Sequence, residues 1–97
     1  MTGKLTWTFL ATPWRHDAGW FFVTVPGDLS AEIRQLLQQE EQGWGRLKAI
    51  ALIAGVQWET AIWFDTKQRA YLLPLKQEIR KKARIGTHAD VKVTLLL

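Results

Sequence analysis

The sequence predicts a mainly β domain with two short helices, and three observations lead to that prediction. Apolar and polar residues alternate with a period of two over long stretches, which is typical of half-buried strands. Two apolar runs end at a proline, and each is followed by a short segment with helical spacing. About six strands fit into the 97 residues, so we expect a small closed or nearly closed barrel without exposed edges.

The first predicted strand covers residues 4–12, where one face is apolar and the other is mainly threonine. Pro13 ends it, and residues 14–19 are predicted to form a turn. Residues 20–25 are apolar on both faces and end at Pro26, so we expect this second strand to lie centrally in the sheet.

A helix is predicted between Pro26 and about residue 41, because apolar residues recur there at helical spacing. Either Asp28 or Ser30 is predicted to cap it, since both side-chain oxygens can accept an orphan backbone N–H. A glycine-rich turn at 43–45 leads into residues 46–54. We assign this segment to a strand because glycines bracket it, although alanine and leucine favour a helix.

The second half of the chain repeats this order of elements. Residues 56–65 alternate strongly and predict a strand, and residues 65–68 turn the chain into a short strand that ends at Pro74. A helix of about two turns follows and stops at Gly86. The last strand is predicted after Asp90, where the apolar residues alternate to the end of the sequence.

Strand, proline, helix and strand therefore occur twice, over about 20–53 and about 70–97. Both helices contain Glu-Ile-Arg, at 32–34 and at 78–80. A repeated unit that cannot cover its own apolar face usually pairs with its twin. We interpret the stretches as diverged copies within one β-barrel domain over 1–97. The alternative is coincidence, because proline-ended strands before short helices are common.

Several short motifs, in this order and spacing, resemble the bacterial family known as domain of unknown function 1905. They are Trp20…Val25-Pro26, Gly43-Trp44-Gly45, Trp58-Glu59-Thr60, Phe64-Asp65-Thr66-Lys67, Tyr71 to Lys76 and Val91-Lys92-Val93. The resemblance covers nearly the whole chain. Ala61 departs from it, where serine is expected, and so does Ala89-Asp90, where Gly-Asp is usual. It implies a double-split β-barrel, as in AbrB-type and MazE-type DNA-binding proteins, with both strand–helix–strand units in one chain. It implies no function.

The composition excludes several classes of protein. Without cysteine there is no disulfide framework and no thiol chemistry. No apolar run is long enough for a signal peptide or a membrane span, so we expect a cytoplasmic protein without a membrane partner. The formal net charge of +4 permits acidic partners but does not by itself indicate nucleic-acid binding.

No catalytic, metal or cofactor site is predicted. His16-Asp17 and His88 with Asp90 resemble catalytic dyads, but adjacent loop residues rarely point together and no serine is placed as a nucleophile. Two separated histidines do not form a metal-binding pattern, and no glycine-rich phosphate loop is present. A small enzyme is the least favoured reading.

The six tryptophans give the first candidate site. Three lie on apolar strand faces and are predicted to be core residues: Trp7, Trp20 and Trp58. The others, with nearby arginines and a tyrosine, can line a small-molecule or peptide site, because exposed aromatic rings stack on flat groups. The predicted lining is Trp44, Arg46, Trp63 and Tyr71, with Trp14 and Arg15 close by. The competing interpretation is that loop tryptophans plug the barrel ends.

A basic cluster in the second helix gives the alternative, a nucleic-acid site. Lys76, Arg80 and Arg84 recur every four residues, so they would share a helical stripe that can meet successive phosphates, with Lys81 beside it. The competing interpretation is a solvated helix face that suits the negative C-terminal end of the helix. We therefore expect a non-enzymatic binding module, monomeric or weakly homodimeric. Its partner would be a small molecule or a protein, with nucleic acid as the alternative.

Overall fold

The computed structural model describes residues 5–17, 19–43 and 45–97, and in this part of the chain seven antiparallel strands form one sheet that curls into a half-barrel. The strands are β1 (Thr6–Ala11), β2 (Trp14–Arg15), β3 (Phe21–Thr24), β4 (Arg46–Ile53), β5 (Val56–Asp65), β6 (Ala70–Pro74) and β7 (Val91–Leu96). Their order is β1-β7-β4-β5-β6-β3-β2. The predicted fold class, mainly β with two short helices, is confirmed.

The two helices follow the proline-ended strands, as the sequence predicts. Helix α1 (Gly27–Leu37) continues into a 3₁₀ turn at Gln38–Glu40, and helix α2 (Gln77–Lys82) is a single short element. No helix among the described residues is long and apolar enough to cross a membrane. Lys4, in the predicted first strand, and Ala18 and Trp44, in the turns predicted at 14–19 and 43–45, lie outside the described residues.

The seventh strand, β2, is a difference from the sequence prediction, which placed a turn at residues 14–19. Trp14 pairs with Phe22 and Arg15 with Phe21, so the hairpin ladder begins directly after Pro13. The turn is shorter than the predicted one, because Trp14 and Arg15 belong to the strand. The His16 amide N–H closes it by donating to the Trp20 carbonyl at 2.7 Å. The prediction failed because a two-residue strand has no periodicity that a sequence can display.

The residues at 46–54 form a strand, as predicted, although alanine and leucine favour a helix. The turn between β4 and β5 has two residues, Ala54 and Gly55, with φ angles of 50° and 80°. Positive φ at both central positions is the requirement of the hairpin turn that matches strand twist. This turn sets Ile53 opposite Val56, and the register continues along both strands to Arg46 opposite Trp63.

Ser30 has a different role from the predicted helix cap. Pro26 occupies the cap position of α1, and no side chain forms a capping hydrogen bond there. The Ser30 hydroxyl is buried and donates to the Val25 carbonyl at 3.0 Å, while it accepts the Tyr71 amide N–H at 3.0 Å. The hydroxyl therefore ties the first turn of α1 to strand β6.

The core lies against one face of the sheet. It contains Val23, Ile62, Leu73 and Val93 from four strands, all with 0% exposure, and Ile33 from α1 packs into it. Strand pairing also joins the equivalent strands of the two units read from the sequence, since β3 pairs with β6 and β4 with β7. This is the arrangement expected of diverged copies. The duplication itself stays a prediction.

Candidate ligand-binding groove

The sheet face opposite the core carries a row of aromatic and apolar side chains. Strand residues alternate between faces, so the neighbours of buried Val23, Ile62 and Leu73 point outward. The register places Trp14, Phe22 and Pro74 side by side across β2, β3 and β6. A second row crosses β3, β6, β5 and β4 and consists of Thr24, Leu72, Trp63 and Arg46. We call this surface the outer face.

The outer face contains a concavity of about 630 Å³, which we call the aromatic groove. Its apolar lining is Trp14, Trp20, Phe22, Trp63, Leu72 and Pro74, and His16, Asp65 and Gln68 form its polar part. Two tryptophans are open to solvent, since Trp20 is 63% and Trp63 37% exposed. Few apolar side chains of this size stay exposed in a folded domain, and a cluster of them marks an interaction site.

Hydrogen bonds fix one wall of the aromatic groove. The Trp14 indole Nε1–H donates to the Thr24 hydroxyl at 2.8 Å, and this hydroxyl donates to Gln68 Oε1 at 3.3 Å. The amide nitrogen of Gln68 donates in turn to Asp65 Oδ2 at 3.1 Å. The Trp14 ring also packs against Phe22, with the ring centres 5.2 Å apart. This wall is therefore held in place before any ligand arrives, which lowers the entropic cost of binding.

A second concavity of about 600 Å³ adjoins the first and shares Trp20, Trp63 and Pro74 with it. We call it the basic groove, because it is also lined by Arg46, Lys48 and Lys76, against one carboxylate from Glu59. The three cations are exposed, and none of them forms an ion pair within the described part of the chain. They are free to meet a negative group.

The structure brings together two of the four residues in the predicted small-molecule or peptide site. Arg46 and Trp63 are cross-strand partners on the outer face. Tyr71 is elsewhere, because its side chain faces the core and has 0% exposure. Trp44 lies outside the described residues. The groove that Trp63 lines is therefore built differently from the predicted one, and Tyr71 is not part of it.

The predicted basic stripe is divided between different surroundings. Lys76 precedes α2 and lines the basic groove. The Arg80 guanidinium is occupied, since it lies 3.7 Å from the centre of the Phe21 ring and its Nε donates to the Leu75 carbonyl. Lys81 and Arg84 are exposed and line neither groove. Because α2 has only six residues and Arg84 follows it with a φ of 54°, these residues form no continuous helical stripe.

Trp20 is the residue that sequence reasoning placed wrongly. It was predicted to be in the core, but it precedes β3 and is the more exposed of the two open tryptophans of the aromatic groove. Of the other predicted core tryptophans, Trp7 is buried and Trp58 is half-buried against the core. The sequence feature that could have revealed the exposed surface is the second predicted strand, which is apolar on both faces. We interpreted it as central, whereas its outer residues line an open surface.

Tyr71 instead belongs to a partly buried cluster beneath the other face of the sheet. Its hydroxyl donates to the Glu41 carboxylate, and its ring meets the edge of Phe64 at 5.1 Å. Arg34 lies 3.8 Å from the centre of the Phe64 ring and 4.0 Å from the Glu41 carboxylate. Burial, followed by the hydrogen bond to Glu41 and the charge of that group, raises the pKa of Tyr71, while the Arg34 charge opposes this.

The described residues contain no group of three or more metal-ligating side chains. The family model described as Domain of unknown function (DUF1905) matches residues 6–95. The chain belongs to this family. The resemblance noted in the sequence is thereby confirmed. All residues that line the two grooves lie within the matched range, so both grooves belong to the DUF1905 domain. No curated protein matches the chain.

Proposed function

We propose that this DUF1905 domain is a non-enzymatic binding module and that the aromatic groove is its site. The observation behind the proposal is the pair of solvent-exposed tryptophans, Trp20 and Trp63, that face a common concavity next to a hydrogen-bonded wall. Exposed aromatic rings of this kind are costly in water and favourable against a flat or apolar group. A small molecule or an aromatic peptide side chain has the chemistry that this surface accepts.

The alternative of a nucleic-acid site on the basic helix has less support from the geometry. Its cations do not share one surface, since Arg80 packs on Phe21 while Lys76 borders the groove. The competing reading, that the loop tryptophans plug the barrel, fits Trp14 in part because its indole is bonded to Thr24. It does not account for the exposure of Trp63, which is 37%.

The proposal is tested by titrating the ¹⁵N-labelled protein with neutral aromatic probes, such as indole and 2-naphthol, and following the tryptophan side-chain NMR signals. We expect the signals of Trp20 and Trp63 to shift in a saturable way. The signal of Trp7 serves as an internal reference, because its indole is buried and donates to Glu32 at 3.1 Å. It should stay in place.

Variants identify the site. Trp63→Ala and Trp20→Ala should each lower the affinity for the probe. Leu10→Ala should leave the affinity unchanged, since Leu10 is an apolar residue as exposed as Trp20 but lines neither groove. The proposal is wrong if no indole signal responds, or if probe binding is unchanged in both tryptophan variants.

A further inference from the structure

The basic groove gives information about the ligand that the aromatic groove alone does not. The two grooves meet at Trp20 and Trp63, so a ligand that crosses these rings passes from an apolar surface to one with three cations. Arg46 is the direct cross-strand neighbour of Trp63, and Lys48 is opposite Ala61, the next outward residue along β5. Directly opposed side chains on one sheet face are close enough to touch the same group.

The cations of the basic groove have no structural role that the described residues reveal. Arg34 and Arg80, by comparison, each pack on an aromatic ring. Arg46, Lys48 and Lys76 instead border an open concavity with only Glu59 as a counter-charge, and they form no ion pair in the described ranges. Their charge is available to an anionic ligand in solution.

The arrangement therefore selects a ligand with flat ring faces next to negative charges. A neutral aromatic compound leaves the cations unused, and an acidic peptide offers charge but few ring faces. A nucleic-acid duplex hides the faces of its bases inside the stack. Single strands combine exposed bases with a regular row of phosphates, which is the chemistry that stacking residues beside basic grooves recognise. Each groove is the size of a site for one small ligand, so the pair accommodates more than one nucleotide.

We propose that the outer face binds single-stranded nucleic acid. Bases stack on Trp63 and Trp20, and the phosphates lie over Arg46, Lys48 and Lys76. This inference rests on the proposed function, since it uses the same aromatic groove, and it adds the identity of the ligand. It differs from the site predicted on the second helix, because only Lys76 is common to the two.

The test measures the fluorescence anisotropy of a labelled oligothymidylate of about ten nucleotides, a length within the site sizes of single-strand binders. Three phosphate contacts predict a slope of about −2 when the logarithm of the affinity is plotted against the logarithm of the salt concentration. Trp63→Ala should reduce the affinity by about fivefold or more, the lower limit for loss of one stacked base. Trp63→Phe should restore part of it, which separates stacking from a general effect on the fold.

Two charge-reversal variants locate the phosphate path. Lys48→Glu with Lys76→Glu should abolish binding and flatten the salt dependence. Lys81→Glu with Arg84→Glu makes the same change in net charge outside both grooves and should reduce binding far less. Equal losses in the two double variants would overturn the inference, because the protein would then respond only to its overall charge.

Competitors decide the identity of the occupant. The inference requires that duplex DNA and thymidine monophosphate compete much less well than the single strand, and equal competition by either would overturn it. If the neutral probes bind in the aromatic groove but the oligonucleotide does not bind at low salt, the nucleic-acid inference falls and the proposed function remains. If neither binds, the proposed function falls as well.

Discussion

Two regions of this domain use the same residue types in opposite ways. The cluster around Tyr71 places two aromatic rings, an arginine and a carboxylate in contact beneath the sheet. The grooves of the outer face contain tryptophans, cations and a carboxylate as well, but Trp20 and Trp63 are exposed and the cations have no ion-pair partner in the described part of the chain. The two regions contain similar residue types, so the difference between them lies in their contacts. Side chains that contact each other inside the protein stabilise the fold, whereas side chains without such contacts are available to a ligand.

The largest difference between the two regions should appear on truncation of an aromatic ring. Tyr71→Ala removes a fully buried ring and leaves Glu41 without its hydroxyl donor, so we expect a loss of about 3–5 kcal/mol in the free energy of unfolding. Urea denaturation followed by circular dichroism measures it. A loss below about 1 kcal/mol would mean that the cluster is not a structural unit.

The buried hydroxyl of Ser30 gives a smaller effect of the same kind. Ser30→Ala leaves the Tyr71 amide N–H without its acceptor, which should cost about 1–3 kcal/mol in the free energy of unfolding. Asp28→Ala is the matched control, because Asp28 is exposed in the same helical turn and forms no capping bond. If the two variants lose equal stability, Ser30 acts through the helix alone and not through strand β6.

The raised pKa of Tyr71 predicts how the stability of the protein depends on pH. The folded state holds the phenol proton more tightly than the unfolded state, whose pKa is about 10. This stabilisation is fully present below about pH 10, and it is lost as the pH rises toward the folded pKa, by up to about 1.4 kcal/mol per pH unit.

Two measurements check this pH dependence. Tyr71 is the only tyrosine, so phenolate absorbance reports on it directly and should rise well above pH 10 while the protein stays folded. Tyr71→Phe should be less stable at neutral pH but should lose less stability at alkaline pH. A phenol that ionises near pH 10 in the folded protein would contradict the burial of the Tyr71 ring and its hydrogen bond to Glu41.

The smallest effect on stability is expected on the outer face. Trp20→Ala removes a side chain that is 63% exposed, so the free energy of unfolding should change by no more than about 0.5 kcal/mol. The same denaturation experiment measures it, with Tyr71→Ala as the reference at the other extreme. A loss comparable to that of a core residue would show that Trp20 covers the barrel and would remove the contrast between the regions.

The sequence by itself determined the local elements and the fold class. Alternation over 56–65 sets a strand, and Pro26 and Pro74 mark the ends of strands that precede α1 and α2. The glycines at 45 and 55 correctly favoured a strand over a helix between them. These features could be predicted because period, proline and glycine act on the backbone through neighbouring residues alone.

The tertiary structure decided which aromatic faces are covered. Alternation shows that Trp63 shares a strand face with Glu59 and Asp65, but it does not show whether another element packs on that face. The predicted exposure of Tyr71 and the predicted burial of Trp20 were both wrong for this reason. Glu41, 30 residues away in the sequence, meets the Tyr71 hydroxyl, whereas no described element covers Trp20. Burial depends on contacts between residues far apart in the chain, and local periodicity carries no information about those contacts.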